Sequence, residues 1–269
     1  MAENPFESLL QELMATRKYQ ELDLPEATVR DLLMKELPNH RSSKDAVKEV
    51  RKKLHNIVAP YLGDPDYVAA NIELETAFRT GDSQEIKKAC TGVLASHAST
   101  RERLQILGEF YSRLFTITGQ PQILLDLACG LNPLTFPWMG LPATTCYYAY
   151  DIHQPRIAFI NHFFRLQGLA PLACVQDILV EPPQLEGDVA FMFKEAHRFE
   201  QRQKGCNRAL WQALKVHYLL VSLPPRSLSG HHNLVERQRQ LVSRTVEGFS
   251  WQVSEVLFEN EMVFIIDKG

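Results

Sequence analysis

The run Gln122-Ile123-Leu124-Leu125-Asp126-Leu127-Ala128-Cys129-Gly130-Leu131-Asn132-Pro133 constrains the fold of this chain more than any other segment. A parallel strand covered on both faces reads as a near-continuous apolar stretch, and residues 122–128 supply one. Gly130 then supplies a turn at which backbone can approach a ligand closely. Two later strand-like segments end on acids, Tyr150-Asp151-Ile152 and Gln176-Asp177-Ile178. Ligands of open α/β sheets bind beyond the carboxyl ends of the strands, so Gly130, Asp151 and Asp177 are expected along one sheet edge. Asp151 follows the turn by roughly 20 residues, the distance at which a second strand presents a carboxylate to a ribose hydroxyl pair. Asp177 is expected to close the third strand, within reach of an adenine amine.

The turn lacks the three glycines that cradle a pyrophosphate on a helix N-terminus. An adenosine cofactor without phosphates fits better, S-adenosylmethionine foremost. Short glycine turns after apolar strands are common in α/β folds. These residues alone therefore leave two readings open: a methyltransferase, and a Rossmann-like sheet with another ligand.

Around this motif the pattern alternates. Strands are expected near 122–128, 145–150, 172–176, 188–193 and 216–222, with helices near 155–167, 198–214 and 232–247. A final antiparallel pair, 252–258 and 261–267, would turn at Glu259-Asn260. Residues 1–95 read as helices without strands: Phe6, Leu9, Leu10, Leu13 and Met14 recur at helical spacing, as do Val29, Leu32, Leu33 and Leu37 before Pro38. Thr80-Gly81-Asp82-Ser83 is a stop-and-restart signal. Ser99 is expected to cap a helix over 100–116, with Glu102 completing a near capping box. The division is thus 1–95 helical and 96–269 α/β.

With 269 residues, 45% hydrophobic and 23% charged, the chain can bury a large core. Its first residues form no signal peptide and no segment is long and apolar enough to span a bilayer, which points to the cytoplasm. The five cysteines, at 90, 129, 146, 174 and 206, form no CxxC pair and are odd in number, so neither a metal site nor a disulfide framework is expected. Cys129 is read as a small buried filler of the turn rather than a nucleophile.

Charge is unevenly placed. Between His40 and His55 stand six cations and two anions, although the whole chain carries a formal net charge of −3. Lys44, Lys48, Arg51 and His55 follow i, i+4, i+7, i+11 spacing beside an apolar stripe of Val47, Val50, Leu54 and Ile57. One helix is expected to bury the stripe and present a basic ridge, either an ordinary solvated face or a track for phosphates. A second basic group, Lys194, Arg198, Arg202, Lys204, Arg208, Arg226, His231 and His232, is expected over the cofactor edge. Two basic surfaces flanking one site suggest a large polyanionic substrate.

Five segments carry a family resemblance: His97-Ala98-Ser99-Thr100-Arg101-Glu102-Arg103-Leu104, Asp126 through Leu134, Tyr150-Asp151-Ile152-His153-Gln154, Gln176-Asp177-Ile178-Leu179 and Pro225-Arg226-Ser227-Leu228. In order and over nearly the whole chain, they resemble the aminoglycoside-resistance 16S rRNA guanine-N7 methyltransferases. That resemblance implies a Rossmann-like class I S-adenosylmethionine-dependent methyltransferase sheet with an N-terminal all-helical domain. It also implies methylation of one decoding-site guanine in the assembled 30S subunit, and aminoglycoside resistance as the outcome.

Carried over by position, Arg103 would pair with the methionine carboxylate of S-adenosylmethionine, with His97, Ala98 and Ser99 at the same end. Ala128 and Gly130 would give backbone approach, Asp151 the ribose contact, and Asp177 with Ile178 the adenine contact; Ile152 would also line the cofactor. Tyr61, Phe193 and Gln203 match positions that close over the cofactor. Arg226 matches a position near the target nucleotide, where it would hold phosphate or the flipped guanine. Lys18, Lys44, Lys48, Arg51, Lys53 and His55 are candidates for rRNA docking. No catalytic acid or base is nominated, because guanine N7 carries its own lone pair and the reaction rests on alignment. A monomer suffices for such docking, and no metal is implied. Residues 229–236 and 195–199 depart from the family's usual continuation. The first departure motivates the alternative of another RNA nucleotide or a small molecule as substrate; a non-catalytic ribosome-binding protein is a further alternative, against which the intact Arg103, Asp151 and Asp177 speak.

Overall fold

The computed structural model describes residues 5–17, 23–59, 64–226 and 233–269. Seven strands form one sheet: β1 (Ile123–Leu127), β2 (Cys146–Asp151), β3 (Ala173–Val175), β4 (Glu186–Phe193), β5 (Lys215–Leu223), β6 (Gln252–Leu257) and β7 (Met262–Asp267). Their order is β3-β2-β1-β4-β5-β7-β6. The first five run parallel, and β7 is antiparallel to both neighbours. The order reverses between β1 and β4, which makes their carboxyl ends the place where ligands of such sheets bind.

Alternate residues of each strand enter different cores, as the two-residue period of a strand requires. Leu124, Val189 and Phe191 join one apolar cluster and Leu125, Ala190 and Met192 the other. The first cluster is covered by α4 (Tyr67–Thr80), α5 (Ser83–Ser96), α7 (Leu107–Thr118) and α9 (Gln154–Leu166). On the opposite face lie α10 (Ala196–Arg202), α11 (Cys206–Ala213) and α12 (Val235–Val246), with Trp211 wholly buried. A sheet buried on both faces explains why its central strands read as apolar runs.

A separate N-terminal core joins α1 (Pro5–Met14), α2 (Glu26–Glu36) and α3 (Ser43–Val58) through Leu10, Leu13, Val29, Leu32, Leu33, Val47, Val50 and Leu54. Helices α4 and α5 instead send Ala70, Leu74, Cys90, Val93 and Leu94 into a cluster shared with the sheet. Apolar packing therefore divides between α3 and α4. The stop-and-restart signal between α4 and α5 behaves as expected: Gly81 adopts φ +69 and Asp82 accepts from Gln84 N at 2.8 Å.

Two long helices of the sequence reading are broken. The first comprises α6 (Ala98–Arg103) and α7, with a turn at 104–106 between them. The turn lets Arg103 enter the interior while α7 lays Phe110, Tyr111 and Leu114 on the sheet. Ser99 does not cap this helix. His97, with extended backbone, occupies the cap position, and Ser99 Oγ lies 2.8 Å from His97 Nδ1. The second splits into α10 and α11 because Gly205 adopts φ +79, which ends a right-handed helix. No helix among the described residues is long and apolar enough to cross a membrane.

Candidate functional site

Beyond β1 the chain turns through two left-handed residues, Ala128 at φ +51 and Gly130 at φ +54. A β-carbon at Gly130 would meet only His97 Cε1, at 3.9 Å, so conformation rather than space selects glycine there. Ala128 holds the same region with a side chain, at a cost of about 1–2 kcal/mol. Neighbouring strands support the turn: Cys129 N donates to Tyr150 O at 2.8 Å and Gly130 N to Asp151 Oδ2 at 3.1 Å. Burial among carboxylates pushes the Cys129 thiol well up, so it stays protonated, in keeping with its reading as a filler. Of the other cysteines, Cys90 and Cys206 are buried, Cys174 is half-buried and Cys146 is exposed.

This turn floors a cavity of about 1090 Å³, its open mouth included. Asp151 ends β2 at the cavity wall and accepts from His153 N at 3.0 Å and from Arg156 Nη1 at 3.0 Å. Arg156 continues to Asp64, which also takes the Tyr67 hydroxyl and stands 3.1 Å from His153 Nδ1. Burial drives the Asp64 carboxyl up, yet the hydrogen bond from His153 and the charge of Arg156 outweigh it and hold the group below the usual range. His97, in the same wall, is pushed down to about 4 by burial and by the Arg156 charge, and is neutral at neutral pH.

At the other end, Arg103 is 2% exposed. Glu261 takes its Nε (3.2 and 3.1 Å) and Nη2 (2.6 Å), and Asn132 Oδ1 takes Nη1 at 2.6 Å. Of the five N–H groups of a guanidinium, one on each terminal nitrogen then takes no partner among the described residues. The plane lies 4.7 Å from the Phe110 ring and 4.5 Å from the Phe193 ring. Asn132 donates to Asp126 Oδ2 at 2.9 Å, and Tyr147 OH to the same atom at 2.7 Å. Burial raises the Asp126 carboxyl to about 7 despite both bonds.

Ten of the sequence-expected cofactor residues line one cavity: His97, Ser99, Arg103, Ala128, Gly130, Asp151, Ile152, Asp177, Ile178 and Phe193. Ala98 and Gln203 do not. Gln203 instead accepts from Lys35 Nζ at 2.7 Å. Tyr61 and Lys18 lie outside the described residues, as do His231, His232 and part of the 229–236 loop. Asp177 stands two residues past the short β3 and is held by Arg202 through both oxygens.

The basic ridge forms on α3. Lys44, Lys48, Arg51 and His55 are exposed, while Val47, Val50 and Leu54 are buried. Arg51 pairs with Glu12 at 3.0 Å. Lys53, the other docking candidate on this helix, faces away from the ridge: it pairs with Glu36 at 2.6 Å and lines the cavity with Asn56 and Ile57. Arg226 is exposed outside the cavity lining, in a bridge to Asn233. Two cations of the second basic group, Lys194 and Arg202, are neutralised within the fold, while Lys204, Arg208 and Arg226 stay exposed. Lys194 is buried against Glu102 at 2.5 Å, Arg202 is spent on Asp177, and Arg208 donates to the carbonyls of Thr245 and Glu247. The carboxylate partners of Lys194 and Arg202 are remote in sequence, so cation spacing alone concealed their neutralisation; Arg208, held by carbonyls, keeps its charge.

Sequence reasoning also missed Arg156, Asn132, Glu195 and Glu261. Arg156 sits five residues past Asp151, in the first turn of α9, and that closeness in sequence was a readable signal. Glu261, 158 positions from Arg103, carried none. Glu195 lines the cavity, is pushed up to about 7 by burial against the pull of Arg198, and accepts from Arg198 Nη1 at 2.8 Å.

Residues 15–265 match the family described as Ribosomal RNA methyltransferase (FmrO). The chain belongs to the FmrO family of ribosomal RNA methyltransferases. Within it, the chain is 31% identical over 270 residues to the 16S rRNA (guanine(1405)-N(7))-methyltransferase of Micromonospora echinospora, covering 99% of this chain and 98% of that one. The like-named enzyme of Serratia marcescens is 37% identical over 221 residues, 82% and 81% of the two chains. Among solved structures, the 16S rRNA methyltransferase RmtF in complex with S-adenosyl-L-homocysteine superposes with a TM-score of 0.78 at 28% identity over the full length of both chains. The 16S rRNA methylase RmtB gives 0.76 at 28% identity, with 98% of each chain covered. FmrO membership accounts for the glycine turn without a pyrophosphate fingerprint.

Proposed function

We propose that this chain transfers a methyl group from S-adenosylmethionine to N7 of a guanine in the decoding site of 16S rRNA, within the assembled 30S subunit, and so confers aminoglycoside resistance. The observation that carries the reading is a single cavity whose floor is the Gly130 turn with Asp151 and Asp177 and whose roof includes Lys53, Asn56 and Ile57 of the basic helix α3. Cofactor edge and docking helix thus meet at one opening. The relatives named for guanine N7 methylation and the one bound to S-adenosylhomocysteine support the same chemistry.

The residues fit the cofactor. The left-handed turn at Ala128 and Gly130 offers close backbone approach, Asp151 suits a ribose diol, and Ile152, Ile178 and Phe193 supply apolar walls. The uncommitted terminal hydrogens of Arg103 suit a carboxylate, the usual bidentate partner of a guanidinium. When bound, S-adenosylmethionine supplies an electrophilic methyl group on a sulfonium. Protein side chains need only bind, align and exclude water, since N7 brings its own lone pair. Arg226, Lys44, Lys48, Arg51 and His55 are assigned to rRNA contact. Work is divided between a docking layer of α1–α3 and a catalytic unit that takes in α4 and α5. A cytoplasmic monomer is sufficient for this task.

The test is methylation of purified 30S subunits with labelled S-adenosylmethionine, followed by borohydride and aniline cleavage at the modified base. Cleavage at one decoding-site guanine, with resistance to gentamicin-type drugs and retained apramycin sensitivity in cells, is the expected outcome. Label at another nucleotide would favour the alternative raised by the 229–236 loop. Subunit binding without label would mean a non-catalytic ribosome-binding protein.

A further inference from the structure

The carboxylate of Asp177 already carries four donors. Arg202 Nη1 lies 3.0 Å from Oδ1 and Nη2 2.6 Å from Oδ2, Leu179 N lies 3.1 Å from Oδ1, and Thr28 Oγ1 lies 2.8 Å from Oδ2. An ionised carboxylate offers about four lone-pair sites, so this set fills it. Any further donor, an adenine amine included, must replace one of the four.

Thr28 stands apart from the others. It belongs to α2 of the N-terminal core, 149 positions from Asp177, and is fully buried. Asp177 and Arg202 line the cavity, and Thr28 does not. It is also the first of a row. Asp31 Oδ2 lies 3.9 Å from Arg202 Nη2, and Lys35 Nζ lies 2.7 Å from Gln203 Oε1. Thr28, Asp31 and Lys35 sit at i, i+3 and i+7, one face of α2 turned to one side of the cavity.

We infer that Thr28 is a positioning residue for the cofactor, its hydroxyl and the adenine amine competing for Asp177 Oδ2, so that cofactor loading exchanges a bond to the helical layer for a bond to adenine. The inference rests on the reading of the cavity as an S-adenosylmethionine site. Chemistry selects Thr28 as the donor exchanged. Arg202 is bidentate and charge-assisted, the strongest of the set. Leu179 N is two residues from Asp177 and is held by the local turn. The Thr28 bond is single, neutral in its donor, and comes from another element. Once released, the Thr28 hydroxyl can turn to the carbonyl of Pro25, three residues back, which already accepts from Thr28 N, and this keeps the exchange inexpensive. Linkage makes the effect reciprocal: what weakens the Thr28 bond favours the cofactor, and the cofactor weakens that bond. Helix α2 packs directly on the basic helix α3, so Thr28 and the docking ridge stand on helices of one core.

Calorimetric titration of the full chain with S-adenosylhomocysteine tests this, using Thr28→Val, Thr28→Ala and Thr28→Ser. Thr28→Val and Thr28→Ala should bind several-fold more tightly than the unaltered chain, and Thr28→Ser, which keeps the hydroxyl, should bind as the unaltered chain does. A merely structural Thr28 predicts the opposite sign, so weaker or unchanged binding by both hydroxyl-free variants would overturn the inference while leaving the cavity reading intact. No binding by the unaltered chain would overturn that reading, and the inference with it.

Discussion

Arg103 combines a functional expectation with a structural duty that its helix spacing did not reveal. Its removal would leave Glu261, which is wholly buried, without its closest cation; Lys194 Nζ lies 3.7 Å away. Breaking one side of a buried ion pair costs about 3–5 kcal/mol. Arg103→Ala should therefore lower the melting temperature by on the order of 10 °C, beyond any loss of cofactor binding. Unchanged melting with weakened S-adenosylhomocysteine binding would restore a purely ligand-facing role. Asp126 makes a second test. Because burial raises its folded value from 3.8 to about 7, the folded chain holds an extra proton between those values, and stability falls as pH rises through that window. Half-buried His97 and His197, each pushed down from 6.5 to about 4 and neutral above that, slope the other way between about 4 and 6.5. Asp126→Asn removes only the first slope, so the melting temperature of the variant minus that of the unaltered chain should climb from pH 4 to 7 and level off above. A flat difference would exclude the carboxyl as the titrating group.

At the scale of elements, α3 is the clearest case of a periodic pattern with two outcomes. Its apolar stripe builds the N-terminal core and its basic ridge stays exposed, as amphipathic spacing requires. Lys44 and Lys48 have no ion-pair partner among the described residues, whereas Arg51 and Lys53 do. Reversing both, Lys44→Glu with Lys48→Glu, should weaken 30S binding and flatten its dependence on salt, since each lost phosphate contact removes a released counterion. Affinity for S-adenosylhomocysteine should stay as it was. Parallel loss of both would mean that the helix is damaged rather than its charge. Strand and helix types were legible along most of the chain because strands buried on both faces and one-sided helices leave strong periods. The two broken helices were not. Gly205 was a visible stop signal that went unused, and the 104–106 turn exists because Arg103 and α7 face the core in different directions.

For the whole molecule, the decisive arrangement is that the cavity is walled by both the N-terminal helical layer and the sheet edge. Ligand binding should accordingly stabilise both cores together. At a ligand concentration of about 100 times Kd the gain is about 2.7 kcal/mol, and hydrogen exchange should slow in α3 as well as at the carboxyl ends of β1, β2 and β4. Protection confined to the sheet would argue that the α3 wall does not touch ligand. Apolar periods, the Gly130 turn and the acids at 151 and 177 determined the sheet, its order of elements and most of the residues that meet around one cavity, because these depend on residues near one another in the chain. Tertiary structure alone decided which charges are available. Lys194, Arg202 and Arg103 look like free cations in sequence, yet each meets a carboxylate at least 25 positions away, and only folding brings such partners within a few ångströms.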